Sequence, residues 1–153
     1  MLKFNQKISE SLNPETTLTL TFDQRNKSRL KATLDDGREA GIVLENGKHL
    51  EHNDLLMSKV TGDNESVVIQ IKAALEQVST VYCNDTLQLA RACYHLGNRH
   101  VSLQINADFI RYQHDHVLDD MVKGLGLTVQ VEQAPFEPES GAYHTTSHHS
   151  HSY

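Results

Sequence analysis

The chain has 153 residues, enough for one ordinary domain or two small ones. Apolar residues make up 38%, below the usual ~45–50%, which implies thin cores, a disordered end, or surface buried on assembly. The formal net charge is −6, with 14 basic and 20 acidic side chains. Phosphate binding needs a concentrated basic face, so nucleic acid is a poor partner. Ten histidines make the charge sensitive to pH near 6.

The beginning, Met1 to Lys7, is broken by polar residues and has no apolar core of a signal peptide. Thr16 to Phe22 alternates polar and apolar, the period of a half-buried strand, and its β-branched threonines suit a pleated surface. Ser28 to Leu34 is a second strand, with Leu30, Ala32 and Leu34 on one face. Asp35-Asp36-Gly37 is a turn signal; Ala40 to Glu45 follows, then a second turn at Asn46-Gly47. Leu55 to Val60 and Ser66 to Ile71 complete four or five short strands, with Gly62-Asp63-Asn64 turning between them. Residues 1–74 therefore read as a small all-β domain. His49 and His52 flank a loop and read as solvated histidines.

The texture changes near residue 74. Glu76 to Cys83 reads as a strand, and Asn84 or Asp85 as a helix cap. Leu89, Cys93 and Leu96 then repeat at helical spacing, broadened by Ala90 and Tyr94, and Gly97 stands where a terminating glycine belongs. His100 lies three residues further on, at the start of a strand expected over Val101 to Ile105. Ala107 to Tyr112 is the next strand. His116 or Val117 opens a helix with Leu118, Met121, Val122 and Leu125 on its apolar side; Gly124 and Gly126 end it. Leu127 to Val131 is the last strand. The order β-α-β-β-α-β over 75–140 points to a ferredoxin-like sandwich, two helices on one face of an antiparallel sheet, so the fold class is α+β. Residues 141–153 have no apolar stripe to bury and form a His-rich tail, expected to be flexible.

Familiar catalytic patterns are missing. Gly41 to Lys48 imitates a phosphate-binding loop, but the glycine spacing is wrong and His49 stands where Ser or Thr must be. There is no G-x-S-x-G, no H-E-x-x-H and no paired C-x-x-C. Cys93 and His95, two apart on a helix, point to different faces. The two cysteines are too few for a disulfide scaffold, and no run approaches the ~18 apolar residues of a membrane span. A reduced, cytoplasmic protein with no membrane partner is expected.

Metal chemistry is the better prospect. On an extended segment His114 and His116 share a face, so both imidazoles can meet one ion. Imidazole suits Ni(II), Cu(II) and Zn(II). The alternative is two exposed hairpin histidines beside Asp115. His144, His148, His149 and His151 add four imidazoles on the tail. His100 alone cannot hold a metal; on a two-fold axis its symmetry copy would supply a second ligand.

At these residues the chain resembles the UreE family of urease accessory proteins, which are nickel metallochaperones. The segments are Tyr94-His95-Leu96-Gly97-Asn98-Arg99-His100, Arg111 to Met121, Gly126-Leu127 and Pro135-Phe136-Glu137-Pro138-Glu139. Lys27 to Leu30 and Thr33 to Arg38 also match. The resemblance implies an N-terminal β-domain that binds partners or peptides and a C-terminal ferredoxin-like domain that binds metal and forms a homodimer. It makes His100 the nickel ligand shared across the dimer, and His114 and His116 a peripheral site for nickel, copper or zinc. It makes the tail a source of further ligands, and ranks His95 below these. The implied function is delivery of Ni(II) to apo-urease through the accessory GTPase UreG, not catalysis. Four tail histidines are fewer than the richest relatives carry, and Gln113 stands where some place another histidine. Two rivals remain: a zinc hydrolase using His100, His114 and His116, and an adaptor that binds proteins without metal.

Overall fold

The computed structural model describes residues 1–60, 62 and 65–141. The chain divides into two compact units, the first Met1–Ala74 and the second beginning at Leu75. Among the described residues no helix is long and apolar enough to cross a membrane.

The first unit contains β1 (Leu2–Ile8), β2 (Thr16–Leu20), α1 (Phe22–Arg25), β3 (Arg29–Thr33), β4 (Glu39–Val43), β5 (Leu55–Ser58) and β6 (Val68–Ala73). Its sheet runs β2-β6-β5-β1-β4-β3. Inward positions of these strands supply the core, with Phe4, Leu18, Leu20, Ile42, Leu56, Ile69 and Ile71 nearly inaccessible. The turns stand where glycine permits them: Gly37 at φ +97° and Gly47 at φ +85°.

Three features of this unit depart from the sequence reading. β1 was not among the expected strands, because Lys3, Asn5, Gln6 and Lys7 mask the signal. It nonetheless lies inside the sheet, parallel to β4 and antiparallel to β5, with Phe4 directed into the core. The strand expected through Phe22 stops at Leu20. Thr21 instead caps α1: its hydroxyl accepts from Gln24 N at 3.3 Å, and the Gln24 side chain accepts from Thr21 N at 2.9 Å. That reciprocal cap turns a β-branched residue to a helical purpose. The following Arg25 is buried and donates from Nη1 to Leu20 O at 2.7 Å. The domain is thus a β-sheet with one helical turn. His52 also differs from expectation, since its Nδ1 accepts from Ala73 N at 3.0 Å and ties the loop to β6.

The second unit contains β7 (Leu75–Tyr82), α2 (Thr86–Gly97), β8 (Gln104–Ile105), β9 (Phe109–Gln113), α3 (His116–Gly124) and β10 (Val129–Pro135). The sheet is antiparallel throughout, in the order β10-β7-β9-β8. One face, through Val81, Ile110 and Tyr112, packs with Ala92 and Leu96 of α2 and with Leu118 and Val122 of α3. The strand expected over Val101 to Ile105 shrinks to Gln104–Ile105. The last strand begins two residues later than expected and continues to Pro135, followed by the fully buried Phe136.

Candidate metal centre

The first candidate ligand is placed by α2. Asp85 caps the helix, accepting from Gln88 N at 2.8 Å. Ala92 and Leu96 are fully buried on its inner side, and burying a leucine contributes about 1.5–3 kcal/mol. The helix is therefore held firmly where it ends. Asn98 N donates to Tyr94 O at 3.1 Å, Arg99 N to Leu96 O at 3.0 Å, and His100 N to Gly97 O at 3.0 Å.

These bonds alter the role expected of Gly97. It is the last helical residue and has no positive φ. The left-handed position falls on His100, at φ +56°, with its side chain on the surface. A non-glycine residue there is uncommon, although histidine is among the better tolerated.

The second group is placed by β9 and α3. Ile110 and Tyr112 point into the core, and His114 follows on the same side of the chain. Backbone pairing continues one residue past the strand, His114 N donating to Gln77 O at 3.2 Å. Asp115, between the two histidines, has a local structural role. Its carboxylate caps α3, accepting from Val117 N at 2.9 Å and Leu118 N at 3.2 Å. His116 is consequently the first residue of a helix rather than part of an extended strand, and it is exposed.

Beneath His114 lies a polar cluster. His114 Nδ1 is 3.1 Å from Ser79 Oγ and 3.2 Å from Asp119 Oδ2. Asp119 is 5% exposed, and its Oδ1 accepts from the Tyr112 hydroxyl at 2.5 Å. Burial first, and the Asp119 carboxylate second, hold the Tyr112 phenol far above its ordinary range, so it remains a donor. Ser79 is fully buried. Every member of the cluster has a partner, as buried polar groups require.

Both thiols sit at the margin of the same core. Burial pushes Cys83 up, assisted by Asp85, and pushes Cys93 up, assisted by Cys83. Neither thiol is therefore an activated nucleophile.

Among the described residues no three His, Cys, Asp or Glu side chains are grouped to hold a metal. His100, His114 and His116 thus do not form one three-ligand zinc centre within a single chain. His144, His148, His149 and His151 lie outside the described residues. Sequence reasoning missed Ser79, Tyr112 and Asp119. A signal was present for the last: an acid between Leu118 and Val122 falls on the buried arc of α3.

Comparison with known proteins agrees over nearly the full chain. A model of the UreE urease accessory protein N-terminal domain matches residues 5–74, and one of the C-terminal domain matches residues 76–153. The chain is 56% identical to the urease accessory protein UreE of Pseudomonas putida strain W619, covering 97% of this chain and 89% of the relative. It is 54% identical to that of Alkalilimnicola ehrlichii, over 94% and 85%. It is 55% identical to that of Proteus mirabilis, over 90% and 82%. Two matching domain models in the correct order and this level of identity place the protein in one family: the chain belongs to the UreE urease accessory proteins.

Proposed function

We propose that this protein acts in urease maturation as a nickel carrier, delivering Ni(II) to apo-urease with the accessory GTPase UreG. The observation that carries the reading is His100: an exposed imidazole held at a left-handed position by the closing turn of a well-anchored helix. A single imidazole is half of a site. A homodimer formed through the second unit, a ferredoxin-like metal-binding domain over 75–140, completes it by presenting each His100 to its copy. His114 and His116 form the peripheral site, which also takes Cu(II) or Zn(II). His144, His148, His149 and His151, on the tail over 141–153, add ligands, and the β-domain over 1–74 docks partners or peptides. The metal is cargo, and the protein is a chaperone rather than an enzyme. The protein works in the cytoplasm, a placement that two free cysteines suit.

Imidazole ligands must be neutral to bind, so protons compete with nickel. Uptake weakens as pH falls toward and below ~6.5, the ordinary histidine value. All-nitrogen sites hold Cu(II) more tightly than Ni(II), so selectivity arises from partner recognition and metal supply.

Native mass spectrometry of the full chain, with His144, His148, His149 and His151 changed to alanine, tests the reading at limiting Ni(II). One nickel per dimer is expected, lost in His100→Ala. A monomer carrying one ion, or a tightest site unchanged in His100→Ala, would refute it.

A further inference from the structure

We infer that Asp119 is a positioning residue: from its buried place beneath the β9–α3 turn it fixes the neutral His114 ring as the Nδ1–H form, leaving Nε2 as the metal-binding nitrogen. The inference deepens the carrier reading and rests on it for the identity of the ligand. Its geometric part stands on this chain alone.

His114 Nδ1 has two neighbours, Ser79 Oγ at 3.1 Å and Asp119 Oδ2 at 3.2 Å. A hydroxyl rotates and serves equally as donor or acceptor, so Ser79 does not choose a form. A carboxylate oxygen only accepts. Oδ2 therefore requires a hydrogen on Nδ1, and in a neutral imidazole that leaves the lone pair on Nε2.

Asp119 is itself held. The Tyr112 hydroxyl donates to Oδ1 at 2.5 Å, and Asp119 N donates to Asp115 O at 2.9 Å in the first turn of α3. With 5% of its surface exposed, the carboxylate has little room to turn away. Carboxylate, imidazole and metal in series is a recurrent arrangement: the outer partner sets the ring's form and angle, and its loss typically costs about 10–100-fold in metal affinity.

His116 supplies the contrast. It is exposed at the start of α3 and makes no side-chain hydrogen bond or ion pair among the described residues. His114 is thus the prearranged ligand and His116 the one that must be recruited. The two histidines of the H-x-H motif are not equivalent, although the sequence presents them alike.

Long-range 1H–15N correlation spectra of the metal-free full chain, labelled at histidine, read the form of each ring directly. Above pH 7.5 the wild-type His114 is expected to show Nδ1 protonated and Nε2 bare. Asp119→Ala is expected to shift the ring toward Nε2–H, while Ser79→Ala leaves it unchanged. Zn(II), which is diamagnetic, is expected to perturb His114 Nε2 in the wild type and to bind His114 about 10–100-fold more weakly in Asp119→Ala. A wild-type ring protonated on Nε2 would overturn the assignment even if the variant fails to fold. So would an unchanged ring in folded Asp119→Ala. An Nδ1–H ring that Zn(II) leaves untouched would instead overturn the carrier reading of this turn, so the two failures are distinguishable.

Discussion

The left-handed backbone at His100 yields a prediction that separates the side chain from the chain path. At φ +56°, an L-residue brings its Cβ against the following carbonyl, at a cost of about 1–2 kcal/mol. His100→Gly removes that clash, but glycine's greater freedom in the unfolded chain returns about 0.5–1 kcal/mol. His100→Ala keeps the clash. Both variants lose the imidazole, so whatever it contacts cancels between them. The glycine variant should therefore be more stable than the alanine variant by about 0.5–1 kcal/mol. With a urea dependence of about 1–2 kcal/mol per molar, the midpoints should differ by about half a molar. Equilibrium urea unfolding followed by far-UV circular dichroism measures this directly. Equal midpoints, or a more stable alanine variant, would mean that the turn carries no such cost. On the carrier reading both variants should lose the tightest nickel step, because both lack the imidazole.

Three further outcomes are expected. Tyr112→Phe removes a buried donor from the Asp119 carboxylate at 2.5 Å and should cost about 1.5–3 kcal/mol in urea unfolding; a loss below about 0.5 kcal/mol would show that Asp119 finds another partner. Glu132 is held below its ordinary range by the Thr80 hydroxyl first, with Tyr82 and Arg111 adding to it against a burial effect of opposite sign. A lowered carboxyl contributes stability above its unfolded value of about 4.3 that is lost as pH falls through the folded one, so Glu132→Gln should flatten the acid side of the stability profile between pH 5 and the onset of acid unfolding, and an unchanged slope would contradict the assignment. Cys83 and Cys93 have raised values and remain thiols at pH 8, so iodoacetamide should label the native protein more slowly than the urea-unfolded chain; equal rates would refute their shielding.

The legible parts of this fold were those coded by neighbours in sequence. The hairpin turns at Gly37 and Gly47 and the β-α-β-β-α-β order needed only local periodicity and turn chemistry. β1 is not legible locally because Phe4 is its one fully buried side chain, with Leu2 only partly buried against the core, and its partners β4 and β5 lie far along the chain. Thr21 reads as strand because it continues the alternation of Thr16 to Leu20, although Thr21-Phe22-Asp23-Gln24 also spells a capping box. At the site, His114 and His116 were visible as a spacing, but their inequivalence was not. It depends on Asp119, which is buried beneath the turn and faces His114, and on the start of α3 at His116, one of the two starts the sequence allowed.

The two histidine locations also differ in electrostatic setting. His100 follows the C-terminal end of α2, where the helix macrodipole carries about half a negative charge and favours a cation by about 0.3–1 kcal/mol. His116 opens α3, where the dipole has the opposite sign and works against a divalent ion. Asp115 and Asp119 offset this, yet both are already engaged, one by the backbone amides of Val117 and Leu118 and the other by Tyr112 and His114. On the carrier reading, the His100 position should hold nickel more tightly and the His114–His116 position should exchange it more readily. Titration calorimetry of His114→Ala should then leave the tightest step in place and abolish a weaker one. If His114→Ala instead removes the tightest step, the helix-end argument fails, and the cluster beneath His114 outweighs the dipole above it.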